Sequence, residues 1–473
     1  MELMLFVPEL WVLVGSLVLF LVSIVDGNGK TARFWAGLIA VGAVILTSFT
    51  FLGEGELFYS AYKIDLFSQL FKLLIVAGFG VVVLLGKELK AINEEVKPEY
   101  YLFLLLSTLG LMMVVSCVEL LSLFVALELS SFALYLLVPM RDDRSGVRIQ
   151  MESAAKYVIF GVMATGIMLF GMSYLFGLTG TTYLAELLPK LHNIGAQPAA
   201  VAGITMVLAG FFFKLGLVPF HFWLPDVYQG ASNETTAFIA SVPKLVAVAL
   251  IIRGAALYLP EGQTVGTLIG VLAVVSMFYG NLLALVQKDL KRMLGFSAIA
   301  HAGYIMFGIL LFKESGYATS IYYVIGYLVM NLAAFLVICN VAKDGENLQV
   351  DDLAGLSRRA PLLAVILAVA MFALAGIPPF VGFIGKFMLL AGVLKAGHLT
   401  LVIMAAINTA IAIYYYLAVV RVAYCSDSDN QDLIQVDGLV KIVGILLVVV
   451  IIVMGVAPNT MLKIAAAAVR NIL

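Results

Sequence analysis

Eight ionisable residues lie inside long apolar stretches of this 473-residue sequence, where charged side chains are rare. A charge at the centre of a bilayer costs about 2.5–3.5 kcal/mol on insertion scales. A sequence therefore keeps several such groups only where they are paired, hydrated or used. The eight residues are Lys72, Glu128, Lys156, Lys214, Lys244, Lys386, His221 and His301.

The type of these residues favours proton transfer. Every cation placed deep in an apolar stretch is a lysine, which can release and regain its proton, whereas an arginine stays charged. Burial favours the neutral amine, and a nearby carboxylate favours the ammonium. We predict a lateral relay in which Glu128 holds Lys214 charged, Lys244 passes the proton on, and Lys386 delivers it towards an exit. Separating Glu128 from Lys214 would then expel a proton.

Two of these four residues lie deep within single spans. Glu128 follows Glu119 by nine residues, so a helical rise of 1.5 Å per residue places it roughly 13 Å below the outer surface. Lys244 lies well inside the apolar stretch at 233–258. Glu119 is itself a carboxylate at the outer turn, and the sequence leaves its role open.

The other two lie beside a repeated pentapeptide, Gly-x-x-Pro-Phe. Its copies are Gly216–Phe220 and Gly376–Phe380, each inside an apolar stretch. Lys214 lies five residues before the proline of the first copy, and Lys386 lies six residues after the end of the second. Proline interrupts a helix, and the freed carbonyls can bind a cation or ordered water. We therefore predict a broken helix at each copy.

Each remaining residue also has a structural interpretation. Lys72 is close enough to the outer surface for its side chain to snorkel there. Lys156 either joins the relay or forms a helix ion pair with Glu152, four residues earlier. His221 and His301 either carry protons or are hydrogen-bonded core histidines. For the four relay residues the alternative is a purely structural buried pair. Further polar residues are predicted to join helices: Asn331, Asn408 and Tyr414–Tyr416.

The composition identifies lipid as the solvent of this chain. Hydrophobic residues make up 63% of the sequence and charged residues 12%, against about 25% charged in a soluble domain. Apolar stretches of membrane-spanning length predict about fourteen transmembrane helices, with the seventh and twelfth broken. They lie at 3–25, 34–52, 65–86, 100–117, 119–139, 154–177, 200–218, 233–258, 264–286, 293–312, 319–342, 361–395, 399–423 and 439–457.

Positive charges alternate between the two sides of these helices. Loops 1–2, 3–4, 5–6, 9–10, 11–12 and 13–14 are rich in lysine and arginine, as at Arg141, Arg148 and Lys288, and the intervening loops carry few. The positive-inside rule places the rich loops in the cytoplasm and both termini on the outer face. The two pentapeptides are an odd number of helices apart, which inverts the second copy relative to the first and predicts an inverted repeat.

Several classes of function are excluded by what the sequence lacks. A net charge of −1 without a basic field argues against a nucleic-acid partner. Cys117, Cys339 and Cys425 are too far apart for a metal or redox motif. Gly29–Thr31 lacks the earlier glycine of a phosphate loop. We therefore expect no metal, nicotinamide, flavin, haem or iron–sulfur cluster on this chain.

Long motifs in the sequence resemble those of the antiporter-like membrane subunits of respiratory complex I. They are Phe213–Tyr228, Lys288–Ser297, Ala300–Tyr304, Gly376–Phe380 and Gly385–Phe387, and the likeness covers nearly the whole chain. The resemblance implies an all-α polytopic membrane protein with about fourteen transmembrane helices and two inverted five-helix repeats. The implied segments are helices 1–3 at 1–99, repeat one at 100–258, repeat two at 264–423, and helix 14 with the tail at 439–473.

The resemblance also implies a function. It implies a translocase subunit that moves protons through Glu128, Lys214, Lys244 and Lys386 in a bacterial inner membrane, driven by quinone reduction in partner subunits. FMN, iron–sulfur clusters and quinone would then belong to a peripheral arm and to other membrane subunits. The alternatives are a free-standing secondary cation/proton antiporter, a subunit of a related hydrogenase or other-donor complex, and a structural scaffold.

Overall fold

The computed structural model is almost entirely helical, as the composition predicts. It describes residues 2–25, 29–86, 88–142, 146–194, 197–255, 263–427 and 432–472. Three expected segment boundaries, at 1, 258 and 473, lie outside the described residues.

In the described part of the first half of the chain there are ten α-helices and one small sheet. The helices are α1 (Val7–Val25), α2 (Lys30–Phe49), α3 (Leu66–Leu85), α4 (Lys97–Val114), α5 (Leu120–Leu137), α6 (Ile149–Thr179), α7 (Leu184–Ile194), α8 (Pro198–Leu215), α9 (Trp223–Gly230) and α10 (Asn233–Ala255). Strands β1 (Gly55–Leu57) and β2 (Tyr62–Ile64) form an antiparallel hairpin between α2 and α3.

The described residues of the second half hold nine further α-helices joined by short loops. The helices are α11 (Gln263–Ala284), α12 (Leu290–Ile309), α13 (Glu314–Val341), α14 (Leu356–Arg359), α15 (Pro361–Ala375), α16 (Val381–Lys395), α17 (Leu399–Cys425), α18 (Gly438–Val456) and α19 (Asn459–Arg470). Helices α10 and α13 lie at the centre, because nearly all the residues in the most apolar part of each helix are buried: 100% in α10 and 94% in α13.

The helices confirm an integral, multi-pass membrane protein. Within the described ranges, eleven helices are long and apolar enough to cross a bilayer. The three other predicted stretches are also helical, and hold α4, α12 and the pair α15–α16. The count of fourteen spans stays a prediction, as do the two five-helix repeats.

A break is present at both copies of the pentapeptide, and the two breaks share their local backbone. The glycine that opens each copy has φ of 82° or 88°, a left-handed conformation that glycine adopts without a steric penalty. The N–H of the following residue donates back to a carbonyl of the preceding helix. Leu217 donates to the Phe212 carbonyl at 2.9 Å, and Ile377 donates to the Phe372 carbonyl at 3.0 Å. Both turns therefore end a helix in the same way and expose its last carbonyls.

Loops that the charge pattern assigns to one side meet in the structure. At the end predicted to be cytoplasmic, Lys90 Nζ donates to the Ala342 carbonyl at 3.1 Å, which joins loops 3–4 and 11–12. At the opposite end, Arg470 Nε in the tail donates to Glu314 Oε1 in loop 10–11 at 2.8 Å. The contacts agree with the predicted grouping of these loops, while the end that faces the cytoplasm stays a prediction.

Two buried ion pairs correct the sequence predictions. The prediction that Lys72 snorkels is wrong, because its side chain is 0% exposed and its Nζ lies 2.6 Å from Glu9 Oε1. The Tyr62 hydroxyl donates to the same oxygen at 2.7 Å. The expectation that deep cations are all lysines fails at Arg253, which is buried in α10 and lies 3.3 Å from Asp65 Oδ2. These residues tie α1, α3 and α10 together.

Glu119, whose role the sequence left open, is the N-cap of α5. Its carboxylate accepts from the Leu121 N–H at 3.1 Å and from the Ser122 N–H at 2.6 Å. Burial acts to raise the pKa of this carboxyl, but the hydrogen bonds from Ser122, Thr182 and Leu121 together outweigh it and leave the pKa below its usual value. This geometry assigns Glu119 a structural role at the N-terminal end of α5.

We predict that Lys72→Met strongly destabilises the protein, by about 3–5 kcal/mol, because it leaves a buried carboxylate at Glu9 without its cation. Adding Glu9→Gln removes that charge and should recover much of the loss. Thermal unfolding of the detergent-solubilised protein measures both variants. A double variant no more stable than Lys72→Met would show that the pair does not act as a unit.

We predict that Glu119→Ala costs about 1 kcal/mol at neutral pH through loss of the helix cap. The folded-state pKa of Glu119 is lowered, so its contribution is present above the unfolded pKa and disappears as pH falls through the folded value. The unfolding temperatures of the variant and the native protein should therefore converge in acid. A constant difference across the pH range would contradict this role.

Candidate functional site

At the first break, a lysine from the neighbouring helix binds the carbonyls that the break frees. Lys244 of α10 is 2% exposed. Its Nζ donates to the Leu215 carbonyl at 2.6 Å and to the Lys214 carbonyl at 3.3 Å. The ring of Trp223 lies 5.2 Å from the same nitrogen, within cation–π range. The cation at the freed carbonyls is therefore a side chain of the protein.

The second break has the same arrangement, built from a different element. Lys386 of α16 is 3% exposed. Its Nζ donates to the carbonyls of Leu374 at 2.9 Å and Ala375 at 3.0 Å. The ring of Tyr304 lies 4.9 Å from that nitrogen. Each break thus holds one buried lysine on the last carbonyls of a helix, with an aromatic ring beside it.

Glu128 and Lys214 are near one another without direct contact. Lys214 is 6% exposed in the last turn of α8, and Glu128 is partly buried in α5. Among the described residues, Lys214 Nζ and Glu128 Oε1 have no hydrogen-bond partner. The positive charge of Lys214 acts on the Glu128 carboxyl, and the negative charge of Glu128 acts on the Lys214 amine. The structure therefore brings the two charges within electrostatic reach of one another, and a buried water or a small shift of α5 would be needed to connect them. That Glu128 holds Lys214 charged stays a prediction.

His301 connects the second lysine to a group of tyrosines. It is 3% exposed, and its Nδ1 and Nε2 lie 2.7 Å and 3.1 Å from the hydroxyls of Tyr323 and Tyr416. The charge of Lys386 acts on this imidazole. The hydrogen-bonded core histidine predicted as one alternative is present here, and its partners are hydroxyls that both donate and accept.

Two further tyrosines lie between the halves of the molecule, and sequence reasoning missed them. The Tyr327 ring of α13 is 5.0 Å from the His301 ring, and Tyr228 of α9 lies against the same helix, with its ring centroid 6.5 Å from that of Phe335. Both hydroxyls are buried without a hydrogen-bond partner in the described part of the chain. A tyrosine in an apolar helix is usually interpreted as a packing residue. Only the folded structure shows which polar groups lie near its hydroxyl.

His221 lies in the turn of the first break. It is 2% exposed, and its ring packs against a tilted Phe222 ring and edge-on against the Tyr279 ring, each with its centroid 4.3 Å away. Neither ring nitrogen has a hydrogen-bond partner among the described residues. Both interpretations of His221, as a hydrogen-bonded core histidine and as a proton carrier, therefore stay predictions.

Lys156 belongs to an ion-pair network. Its Nζ lies 2.6 Å from Glu152 Oε1, as the four-residue spacing predicts, and 2.7 Å from Asp226 Oδ2. Asp226 also pairs with Arg292 Nη1 at 2.6 Å. The network joins α6, α9 and α12 beside the first break. The structural interpretation of Lys156 is confirmed, and its part in a relay stays a prediction.

The polar residues predicted to join helices do so in part. Asn281 Nδ2 of α11 donates to Asn408 Oδ1 of α17 at 3.0 Å, and the Tyr415 hydroxyl donates to Asn281 Oδ1 at 3.0 Å. Asn331 instead donates to the Tyr327 carbonyl of its own helix at 2.9 Å. The prediction thus holds for Asn408, for Tyr415 and, through His301, for Tyr416, whereas Tyr414 is exposed and the hydrogen bond observed for Asn331 stays within α13.

Comparison with known proteins gives a consistent family. The model described as "NADH:quinone oxidoreductase/Mrp antiporter, TM" matches residues 117–412. NADH-quinone oxidoreductase subunit N 2 of Opitutus terrae is 50% identical, with 96% of this chain and 95% of that protein covered. The protein of the same name from Solidesulfovibrio magneticus is 47% identical, with 98% and 97% covered.

A solved structure has the same fold. A chain of respiratory complex I from Thermus thermophilus, determined with bound aureothin, superposes with a TM-score of 0.83. It is 29% identical and covers 97% of this chain and 99% of its own length. From these matches, the chain belongs to the NADH:quinone oxidoreductase/Mrp antiporter membrane-subunit family, among the relatives named NADH-quinone oxidoreductase subunit N.

Proposed function

We propose that this chain is a proton-translocating membrane subunit of an NADH-quinone oxidoreductase. The observation that carries the proposal is the pair of buried lysines, Lys244 and Lys386, each seated on the freed carbonyls of a broken helix. The names of its full-length relatives support the assignment. Without a motif for nicotinamide, flavin, haem or iron–sulfur binding in its sequence, this chain leaves electron transfer to partner subunits.

In the first half, Glu128 controls Lys214 and Lys244. When Glu128 is near Lys214, its negative charge stabilises the ammonium in a medium that otherwise disfavours charge. When the carboxylate moves away, the buried ammonium loses that stabilisation and gives up its proton. Because Lys244 donates to the backbone carbonyl of Lys214, a movement at the end of α8 alters the surroundings of both amines.

In the second half, His301 and Lys386 continue the path. Tyr228 and Tyr327 lie between the halves, and a hydroxyl can accept one proton while donating another without ionising. The proton thereby moves laterally from the first break towards the second, and Lys386 releases it. His221 and Lys156 lie beside the first break, where they assist transfer or hold the helices in place.

The driving force comes from the rest of the complex. Quinone reduction in partner subunits, with FMN and iron–sulfur clusters in a peripheral arm, reaches this chain as a conformational or electrostatic change. Other antiporter-like and small membrane subunits lie beside it in a bacterial inner membrane. The end that carries Lys90 and Arg141 faces the cytoplasm, and both termini lie on the periplasmic side.

A free-standing cation/proton antiporter is the second candidate, favoured by the family description that includes Mrp antiporters. Purified chain in sealed liposomes distinguishes the two. The proposed function predicts no sodium/proton exchange by the chain alone, and autonomous exchange would favour the antiporter.

We predict that Lys214→Met and Glu128→Gln each lower proton translocation by about 10²-fold, since each removes a group that transfers or controls the proton. The measurement is proton uptake by vesicles during NADH oxidation, with assembly checked on native gels. Lys395→Met, at an exposed lysine on the same helix as Lys386, is the matched control and should pump normally.

Normal pumping by both variants in a fully assembled complex would contradict the proposed function. Loss of assembly with pumping per assembled complex unchanged would instead support the structural scaffold.

A further inference from the structure

The central helix α10 carries three buried ionisable residues along its length. Glu234 lies in its first turn, Lys244 near its middle and Arg253 in its last turn. Arg253 is paired with Asp65, and Lys244 is bound to backbone carbonyls. Glu234 is 5% exposed, and its Oε2 has no hydrogen-bond partner among the described residues. An incompletely bonded, buried carboxylate is costly, and the relay described above does not use it.

The groups around Glu234 are polar and come from other helices. Lys291 of α12 is 0% exposed, and its Nζ donates to the Ala231 carbonyl at 2.7 Å. The charges of Lys291 and Lys90 both act on Glu234. The Tyr100 hydroxyl of α4 is buried without a hydrogen-bond partner in the described chain, and Glu234 acts on it. These cations stabilise a carboxylate without bonding its Oε2, which leaves that oxygen able to take up a proton.

A cavity at the same end of the molecule lies beside the start of α10. It has a volume of about 290 Å³ and is lined in part by Arg141, Glu346 and Asn347. Asn233, the residue before Glu234, donates to the Glu346 carbonyl at 3.3 Å, which places the start of α10 against the cavity wall. The Oδ1 atoms of Asn233 and Asn347 are also buried without partners among the described residues. Such oxygens can accept hydrogen bonds from water that enters the cavity.

Glu234 and Lys244 are linked along one helix. They are ten residues apart in α10, which corresponds to roughly 15 Å of helix rise. Ser241 lies two helical turns after Glu234, on the same face, and one turn before Lys244. It is 0% exposed, and its hydroxyl donates to the Ala237 carbonyl. Within the apolar stretch from Ala237 to Pro243, this hydroxyl is a polar group that can hydrogen-bond to water.

We propose that Glu234 is the proton acceptor on the cytoplasmic side, which takes protons from the cavity at Arg141 and Asn347 and supplies them to Lys244. The carboxylate binds a proton from water in the cavity and becomes a neutral carboxylic acid. It then gives the same proton, through water beside Ser241, to the neutral amine of Lys244 and returns to the carboxylate. The proposal rests on the proposed function, because it needs Lys244 to be a proton carrier.

Glu234→Gln in the assembled complex tests this role, because glutamine keeps the shape and hydrogen-bonding capacity but cannot hold the proton. We expect proton translocation in vesicles to fall by about 10²-fold and its solvent deuterium isotope effect to rise, as proton entry becomes rate-limiting. Glu234→Asp should retain most of the rate. Glu95→Gln, at an exposed carboxylate at the same end of the molecule, is the matched control and should behave as the native complex.

Glu234→Ala with added formate separates proton transfer from a structural role. If Glu234 is the acceptor, formate restores translocation in this variant by replacing the missing carboxylate. No rescue in an assembled complex, or native translocation with an unchanged isotope effect in Glu234→Gln, would overturn the proposal. In either case, the Lys214→Met variant shows which proposal has failed. If Lys214→Met does not pump, the relay stands and only the role of Glu234 is wrong. If Lys214→Met and Glu234→Gln both pump normally, the proposed function is overturned.

Discussion

A lysine ammonium bound to the last carbonyls of an interrupted helix is the interaction that organises this protein. In lipid, every backbone carbonyl needs a partner, so a helix can stop inside the membrane only where something satisfies its end. Lys244 and Lys386 do so at the two breaks. The same contacts stabilise the ammonium, so the end of the helix and the protonation of the lysine are linked. A change in one necessarily alters the other.

Besides the lysines bound to backbone carbonyls, two groups of buried charges differ in how they are paired. Glu9 with Lys72, and Asp65 with Arg253, are directly paired and fix the packing of α1, α3 and α10. Glu128 and Lys214 are instead buried near one another without a hydrogen bond. A direct ion pair holds one geometry and one charge state, whereas charges kept apart respond to small movements. This contrast separates the groups that hold the helices from the groups that can move protons between them.

The sequence predicted the breaks and the buried lysines because glycine, proline and lysine inside apolar stretches each have few physical explanations. It failed where an outcome depended on a distant partner. The snorkelling of Lys72 was a sound expectation from depth alone, but Glu9 is a whole helix away in the chain and supplies a buried carboxylate. The sequence likewise did not predict that Tyr228 and Tyr327 lie between the two breaks, because only the packing of α9 near α13 brings these tyrosines together.

The proposed path from Lys244 to Lys386 through Tyr228, Tyr327 and His301 requires water wherever side chains do not touch. A cryo-EM map of the assembled complex, at a resolution that shows ordered water, tests this most directly. We expect waters within hydrogen-bonding distance between Lys214 and Glu128, and from Lys244 through the tyrosines to His301. A dry, apolar separation between Lys244 and Tyr228, wider than one water molecule can bridge in every state of the catalytic cycle, would contradict lateral proton transfer through this chain.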